Sequence, residues 1–327
     1  MSNAITEEYL KYISGIRRYS PRTLEIYRES LDTFFEWLDV PCSAGKEECC
    51  RYLTRATVRS YEVHLLDEKK ESPRTVNLHL SILSGFCRYL MKHKMLEANP
   101  VRLVARPKEE KRLPLFYREE AMKSYFDSTG YYVSKEFLDI LAETRDKEHY
   151  SRLLNRIIVS ILYGTGIRRS ELIGLNVSSF DRGRRALRVL GKGDKMREIP
   201  LTPSLFEELS LYLIAASSFS CTAPTPDAPL LVTPGGSRLY PVFVDRVIKK
   251  ELGSVEGISC RKSPHVLRHT IASELLGNGT DLNSIKEFLG HSSLAATQVY
   301  THSTIERMRN VYNNAHPRAK NGGKNGY

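Results

Sequence analysis

The stretch from Asn99-Pro100 to Leu113-Pro114 constrains the fold most, because three prolines and the charged run Lys108-Glu109-Glu110-Lys111-Arg112 cut the chain in two. Proline removes a backbone donor and dense charge resists burial, so the segment reads as an interdomain linker. The 327 residues then divide into parts of ordinary domain size. A first domain is expected over residues 1–106, a linker over 107–114, a second domain over 115–318, and a disordered tail over 319–327.

This division also locates the charge. The chain carries 49 Lys plus Arg against 38 Asp plus Glu, net +11. Residues 1–110 hold 18 basic and 16 acidic residues, whereas residues 111–327 hold 31 and 22. Within the second part, residues 182–197 carry seven basic residues against one acidic, and residues 305–327 carry five against one. Such an excess favours a polyanionic partner. Other classes are excluded more simply. No run of about 18 apolar residues is present, so no membrane span is expected. The opening MSNAITEEYL has neither the apolar core nor the cleavage site of a secretory signal. Six cysteines without a CxxC pair make neither a disulfide framework nor a zinc site, which fits a reducing cytoplasm.

The first part reads as a small helical bundle. Ser20-Pro21 and Ser72-Pro73 each place a capping serine before a proline at the first helical position. Leu24, Tyr27, Leu31, Phe34, Phe35 and Leu38 follow the first at helical spacing, and Val76, Leu80, Leu83, Phe86, Cys87 and Leu90 follow the second. Val58, Tyr61, Leu65 and Leu66 mark a third helix between them. The arginines of this part, Arg22 and Arg74 among them, fall mostly off the apolar faces, which suits a solvated surface or a phosphate-tracking one equally. The second part is mixed. Helices are expected at 151–163, 203–219, 241–251, 264–277, 281–289 and 293–300, with two strands at 185–190 and 196–201 around the turn Gly191-Lys192-Gly193-Asp194. The fold class is therefore mainly α with a small β-hairpin.

Chemistry concentrates in four places. In Ser263-Pro264-His265-Val266-Leu267-Arg268-His269 a capped helix start puts His265 and Arg268 on one face, a corner suited to an anion or simply an exposed polar edge. Gly164-Thr165-Gly166 breaks a helix, and Arg168 and Arg169 follow at the bend with Glu171 near enough to pair with either. Lys192 stands at a glycine-flanked hairpin tip. Gly290 ends a helix before His291, and Tyr300 lies ten residues on. His265, His269, His291 and His302 have no HExxH arrangement or carboxylate partner, and the surrounding arginines would repel a metal cation. Together, two arginines, a lysine, two histidines and a tyrosine suit attack on a phosphodiester. The arginines would neutralise the nonbridging oxygens, a histidine and the cations would favour the tyrosine phenolate, and the lysine would protonate the departing oxygen. That chemistry calls on neither a metal nor a nucleotide cofactor.

In this ordered set, Arg168, Lys192, His265-x-x-Arg268, His291 and Tyr300, the chain resembles the tyrosine recombinases of the Xer-type branch. The strings LYGTGIRRSELIGL, VLGKGDKMREIPL, HVLRHTIASELLGNGTDLNSIKEFLGHSSLAATQVYTH and AHPRA carry the likeness. SPRTLEIYRESLDTFFEWL and SPRTVNLHLSILSGFCRYL are similar to that family's helical, SAM-like core-binding domain. The resemblance implies an α+β catalytic domain in which Arg168 and Arg268 bind the scissile phosphate and Glu171 orients the first arginine. It implies Lys192 as general acid, His265 and His291 as aids to proton transfer, and Tyr300 as the nucleophile of a 3′-phosphotyrosyl intermediate. It further implies double-stranded DNA as partner, a tetramer on two recombination sites, a Holliday junction, an accessory activator in some systems, and a place at the nucleoid. Arg22, Arg74, Arg169, Lys195 and Arg197 are the expected DNA contacts. A chain beginning at the core-binding bundle is expected to lack an arm-binding module, as simple recombinases for chromosome-dimer resolution, inversion or mobile elements do.

Three features depart from the family pattern: Arg169 after the first arginine, Glu274 at a position commonly histidine, and a long stretch at 127–150. Two other functions would use some of the same residues. One is a non-catalytic DNA-binding or architectural protein, and the other is DNA relaxation like that of a type IB topoisomerase.

Overall fold

Four side-chain caps frame the N-terminal unit. In the computed structural model, which describes residues 3–17, 19–41, 43–109, 115–191, 195–220 and 224–290, Asn3, Ser20, Thr54 and Ser72 each accept a backbone N–H three residues on. These bonds satisfy donors that a helix start would leave without partners. They open α1 (Ala4–Gly15), α2 (Pro21–Trp37), α4 (Arg55–Val63) and α5 (Pro73–Lys92), while α3 (Lys46–Arg51) starts without a side-chain cap. The chain divides into two compact units, Met1–Arg112 and Leu113–Tyr327.

The core of the first unit takes Ile5, Tyr9 and Ile13 from α1, Leu31 and Phe34 from α2, Val58 and Tyr61 from α4, and Leu80, Phe86 and Leu90 from α5. Phe34 and Tyr61 meet edge to face at 5.0 Å, the arrangement their ring quadrupoles favour. The three helices expected from sequence are present, together with α1 and α3. The α1 spacing of Ile5, Tyr9, Leu10 and Ile13 is helical, whereas six-residue α3 buries only Cys49 and is too short to show a period.

The second unit is built around α8 (Lys147–Thr165). Every residue from Leu153 to Thr165 is buried, as a helix covered on all sides requires. Against it pack α10 (Pro203–Ser220), α11 (Pro241–Glu251) and α12 (Pro264–Gly277). Before it come α6 (Glu119–Ser128), a 3-10 turn at Gly130–Val133 and α7 (Lys135–Thr144). The long stretch at 127–150 is therefore largely helical, and α8 begins at Lys147 under an Asp146 cap instead of near 151. Phe137 and Leu141 sink into the core there. The buried Arg156 of α8 ties the stretch down, donating to the Phe126 carbonyl at 2.7 Å and to Glu208 at 2.8 Å.

After α8 come α9 (Arg169–Ile173) and an antiparallel sheet of β1 (Phe180–Asp181), β2 (Ala186–Leu190) and β3 (Met196–Pro200), in the order β1-β2-β3. Val189 faces Arg197 and Leu190 faces Met196 across the hairpin. The last described element is α13 (Leu282–Leu289), closed by Gly290 in the left-handed region at φ 68°. Mainly α with a small sheet is thus the fold class, with β1 added to the expected hairpin. No helix among the described residues is long and apolar enough to cross a membrane.

Candidate active site

The site starts where α8 stops. Gly166 takes a left-handed conformation at φ 61°, and a Cβ there would lie 2.6 Å from Leu289 and 3.0 Å from Ile271. Glycine is needed for both the backbone and the space. The turn leaves Arg168 as N-cap of α9 with Glu171 one turn along. Glu171 accepts the Arg168 backbone N–H at 2.7 Å and its Nη1 at 2.8 Å. The Nη2 of Arg168 donates to the Gly290 carbonyl at 3.0 Å. Arg268 comes from α12 and reaches the same place, donating to the carbonyls of Gly166 at 2.5 Å and Leu289 at 2.6 Å. Two arginines far apart in sequence therefore converge on the end of α13.

Arg197 completes the cluster from β3. Its Nη1 and Nη2 each donate to a Glu171 oxygen at 2.9 Å. Burial alone would raise the Glu171 carboxyl, but the Arg197 hydrogen bonds, the Arg168 backbone N–H and the Arg197 charge outweigh it and hold it at about 2. Three guanidinium groups against one carboxylate leave the pocket with excess positive charge. Burial, then the neighbouring Arg168, lower Arg268 to about 10, so it stays protonated at neutral pH. Such a site favours an anion with several oxygens, and Arg168, whose side chain is 32% exposed, offers the accessible edge.

His265 stands one turn before Arg268 on the exposed face of α12. Partial burial, followed by the positive charge of Arg169, His269 and Arg268, lowers its imidazole from the ordinary histidine value, against the opposing pull of Asp245. Arg169 pairs with Asp245 of α11 and not with Glu171.

Lys192, His291 and Tyr300 lie outside the described residues. Gly191, before Lys192, and Gly290, before His291, are described. A Cβ on Gly191 would stand 3.2 Å from Arg197 Nη1 and 3.8 Å from Glu171 Oε1, and one on Gly290 would stand 3.0 Å from the Arg197 guanidinium carbon. Gly191 and Gly290 thus both lie beside the same ion pair.

The expected surface contacts divide. Lys195 is exposed, and Arg22 and Arg74 are exposed near the starts of α2 and α5, Arg22 in an ion pair with Glu25. Arg197 departs from the expectation of a DNA-facing surface: only 7% of its side chain is exposed and its fork is spent on Glu171. Strand alternation carried the signal, because Arg197 shares a face with buried Ile199 and lies opposite buried Val189. Sequence spacing also missed the carbonyls of Gly166, Leu289 and Gly290 as acceptors. Glu274, further along α12, accepts from the Tyr163 hydroxyl at 2.9 Å, and burial pushes its carboxyl up to about 8. Among the described residues, no group of three His, Cys, Asp or Glu side chains is placed to hold a metal ion.

Residues 133–307 match the phage integrase family, and residues 6–94 match the phage integrase N-terminal SAM-like domain. Tyrosine recombinase XerC of Chlorobaculum parvum is 33% identical over 318 residues, covering 96% of this chain and 94% of the relative. XerC of Bacillus subtilis is 32% identical over 315 residues, covering 95% of each. Among solved structures, the Tn1549 transposon integrase in complex with circular intermediate DNA matches with a TM-score of 0.65 at 18% identity, over 94% of this chain and 99% of that one. XerH site-specific recombinase bound to its difH substrate before cleavage matches with a TM-score of 0.61 at 19% identity, over 95% and 82%. These two likenesses concern the fold, whereas the XerC relatives align almost end to end. The family match covers more than half of the chain, and by it this protein belongs to the phage integrase family, the tyrosine recombinases.

Proposed function

We propose that this protein is a site-specific DNA recombinase that cuts and rejoins strands through a tyrosine–phosphate bond. The observation that carries the reading is the meeting of Arg168 and Arg268 at the end of α13, with the flanks of Lys192 and His291 beside them. The two arginines bind the nonbridging oxygens of the scissile phosphate and offset the charge that builds in the transition state. Glu171 orients Arg168. His265, whose imidazole is shifted down by partial burial and neighbouring cations, suits removal of the Tyr300 proton, and His291 supports the phosphate. Tyr300 attacks phosphorus to form a 3′-phosphotyrosyl bond, while Lys192 gives a proton to the leaving 5′-oxygen. The energy of the broken phosphodiester is kept in the new ester, so the 5′-hydroxyl of a partner strand can reverse the step.

Exchange in two steps passes through a Holliday junction, with four copies of the chain on two recombination sites and the N-terminal bundle holding the duplex through residues such as Arg22 and Arg74. The exposed Lys195 supplies a further phosphate contact. This work belongs at the nucleoid, with an accessory activator where the system uses one. The test starts from DNA cross-linked to the protein in cells. A plasmid bearing two copies of the captured site should recombine with the wild-type chain and not with Tyr300→Phe. Relaxation without paired sites would support topoisomerase-like activity instead. Salt-dependent binding without strand cleavage would mark an architectural protein.

A further inference from the structure

Arg197 touches more of the site than any surface arginine would. It projects from β3, grips both oxygens of Glu171 at 2.9 Å, and lies against Gly191 and Gly290. A Cβ on Gly191 would come within 3.2 Å of its Nη1, and one on Gly290 within 3.0 to 3.1 Å of its Cζ, Nε and Nη1. Both terminal nitrogens of its buried fork are matched by a carboxylate, whereas those of Arg268 go to neutral carbonyls.

We infer that Arg197 is a positioning residue of the recombinase site. It fixes the Glu171 carboxylate, and through it the direction of Arg168, while holding Gly191, the residue before Lys192, against the same group.

The physical reason lies in how the carboxylate is shared. Arg168 binds it with one backbone N–H and one terminal nitrogen, and its second terminal nitrogen goes to the Gly290 carbonyl. A buried carboxylate favours two parallel N–H donors from one guanidinium. Arg197 fills that role. Without it, Glu171 would draw the whole fork of Arg168 to itself and turn its accessible edge away from the phosphate. Lysine cannot substitute, because a single ammonium does not span both oxygens. The two close glycines act in the same direction, since a side chain at either would press on the fork.

This inference rests on the recombinase reading, and its test separates the two. Full-length wild type, Arg197→Lys and Arg197→Ala are compared on nicked suicide DNA carrying the captured site. Folded fraction is read from thermal melts, affinity from DNA titration, and the first-order rate of covalent adduct formation at saturating protein. Affinity should stay within about twofold while the adduct rate falls about 100-fold in both variants, as a small misplacement of a reacting group costs. Ethylguanidinium added to Arg197→Ala should restore much of the rate. It should not do so when Glu171→Gln is also present, and that double variant should cleave no more slowly than the slower single. A wild-type rate in Arg197→Lys, a loss proportional only to unfolded protein, or multiplying losses in the double variant would overturn the inference alone. No adduct from wild type would bring down the recombinase reading and this inference with it. Should Arg197→Ala fail to fold, Arg197→Lys decides by the same rate and affinity comparison.

Discussion

Two glutamates show how single residues in this unit are tuned in opposite directions. Glu171 is buried among arginines and held at about 2, whereas Glu274 is buried beside the Tyr163 hydroxyl and pushed up to about 8. For Glu274 the folded chain keeps a proton that the unfolded chain, with an ordinary value of 4.5, releases. Stability therefore falls as pH rises from 4.5 to 8, and the loss is complete above that window. Glu274→Gln keeps an acceptor for Tyr163 and removes the titration. It should be more stable than wild type by on the order of 2 kcal/mol at about pH 8 and equal to it near pH 4, in urea melts across that range. An offset independent of pH would contradict this. At this scale the sequence was informative about chemistry and less so about partners. Arg168, Glu171, His265 and Arg268 stand out by type and spacing. The pairing of Arg169 with Asp245, and the inward turn of Arg197, depend on which elements become neighbours.

Among the elements, the C-terminus of α8 matters most to the site, because its last turn is read by another helix. Gly166 supplies both the left-handed turn and a carbonyl for Arg268. Gly166→Ala would add backbone strain and drive a methyl group into Leu289 and Ile271, which are 3% and 0% exposed and have little room to move. A cost of about 2 to 4 kcal/mol is expected in urea denaturation. Gly236 also has positive φ, at 81°, but nothing lies within 4 Å of its Cβ position. Gly236→Ala should therefore cost only about 1 kcal/mol, and equal losses at both positions would refute the packing argument. Helices with proline after a capping serine, such as α2, α5 and α12, were legible to the residue because cap and ring fix the start. The start of α8 and the helices of 119–144 were not. Their apolar spacing is short, and Arg156, a charged residue in the core, is explained only by the carbonyl and carboxylate it meets.

For the whole molecule, the net charge of +11 is a poor guide to where a polyanion would sit. Part of the basic excess of 182–197 is neutralised locally, with Arg184 on Glu198, Arg188 on Asp181 and Arg197 on Glu171. What remains for a phosphate is an arranged pair, Arg168 and Arg268, beside the flanks of Lys192 and His291. The boundary between the two units, after Arg112, falls in the proline-punctuated charged stretch, and the family was legible in the order of the reactive residues. The way Arg268 reaches the end of α8 and Arg168 reaches the end of α13 was not, since it arises from packing between segments more than 100 residues apart. The most direct measurement is to trap the protein on nicked DNA carrying its captured site, digest the adduct, and identify the modified peptide by mass spectrometry. The account predicts a nucleotide ester on Tyr300, absent from Tyr300→Phe and strongly reduced in Arg268→Ala. An adduct on another residue, or one that survives in Tyr300→Phe, would contradict it.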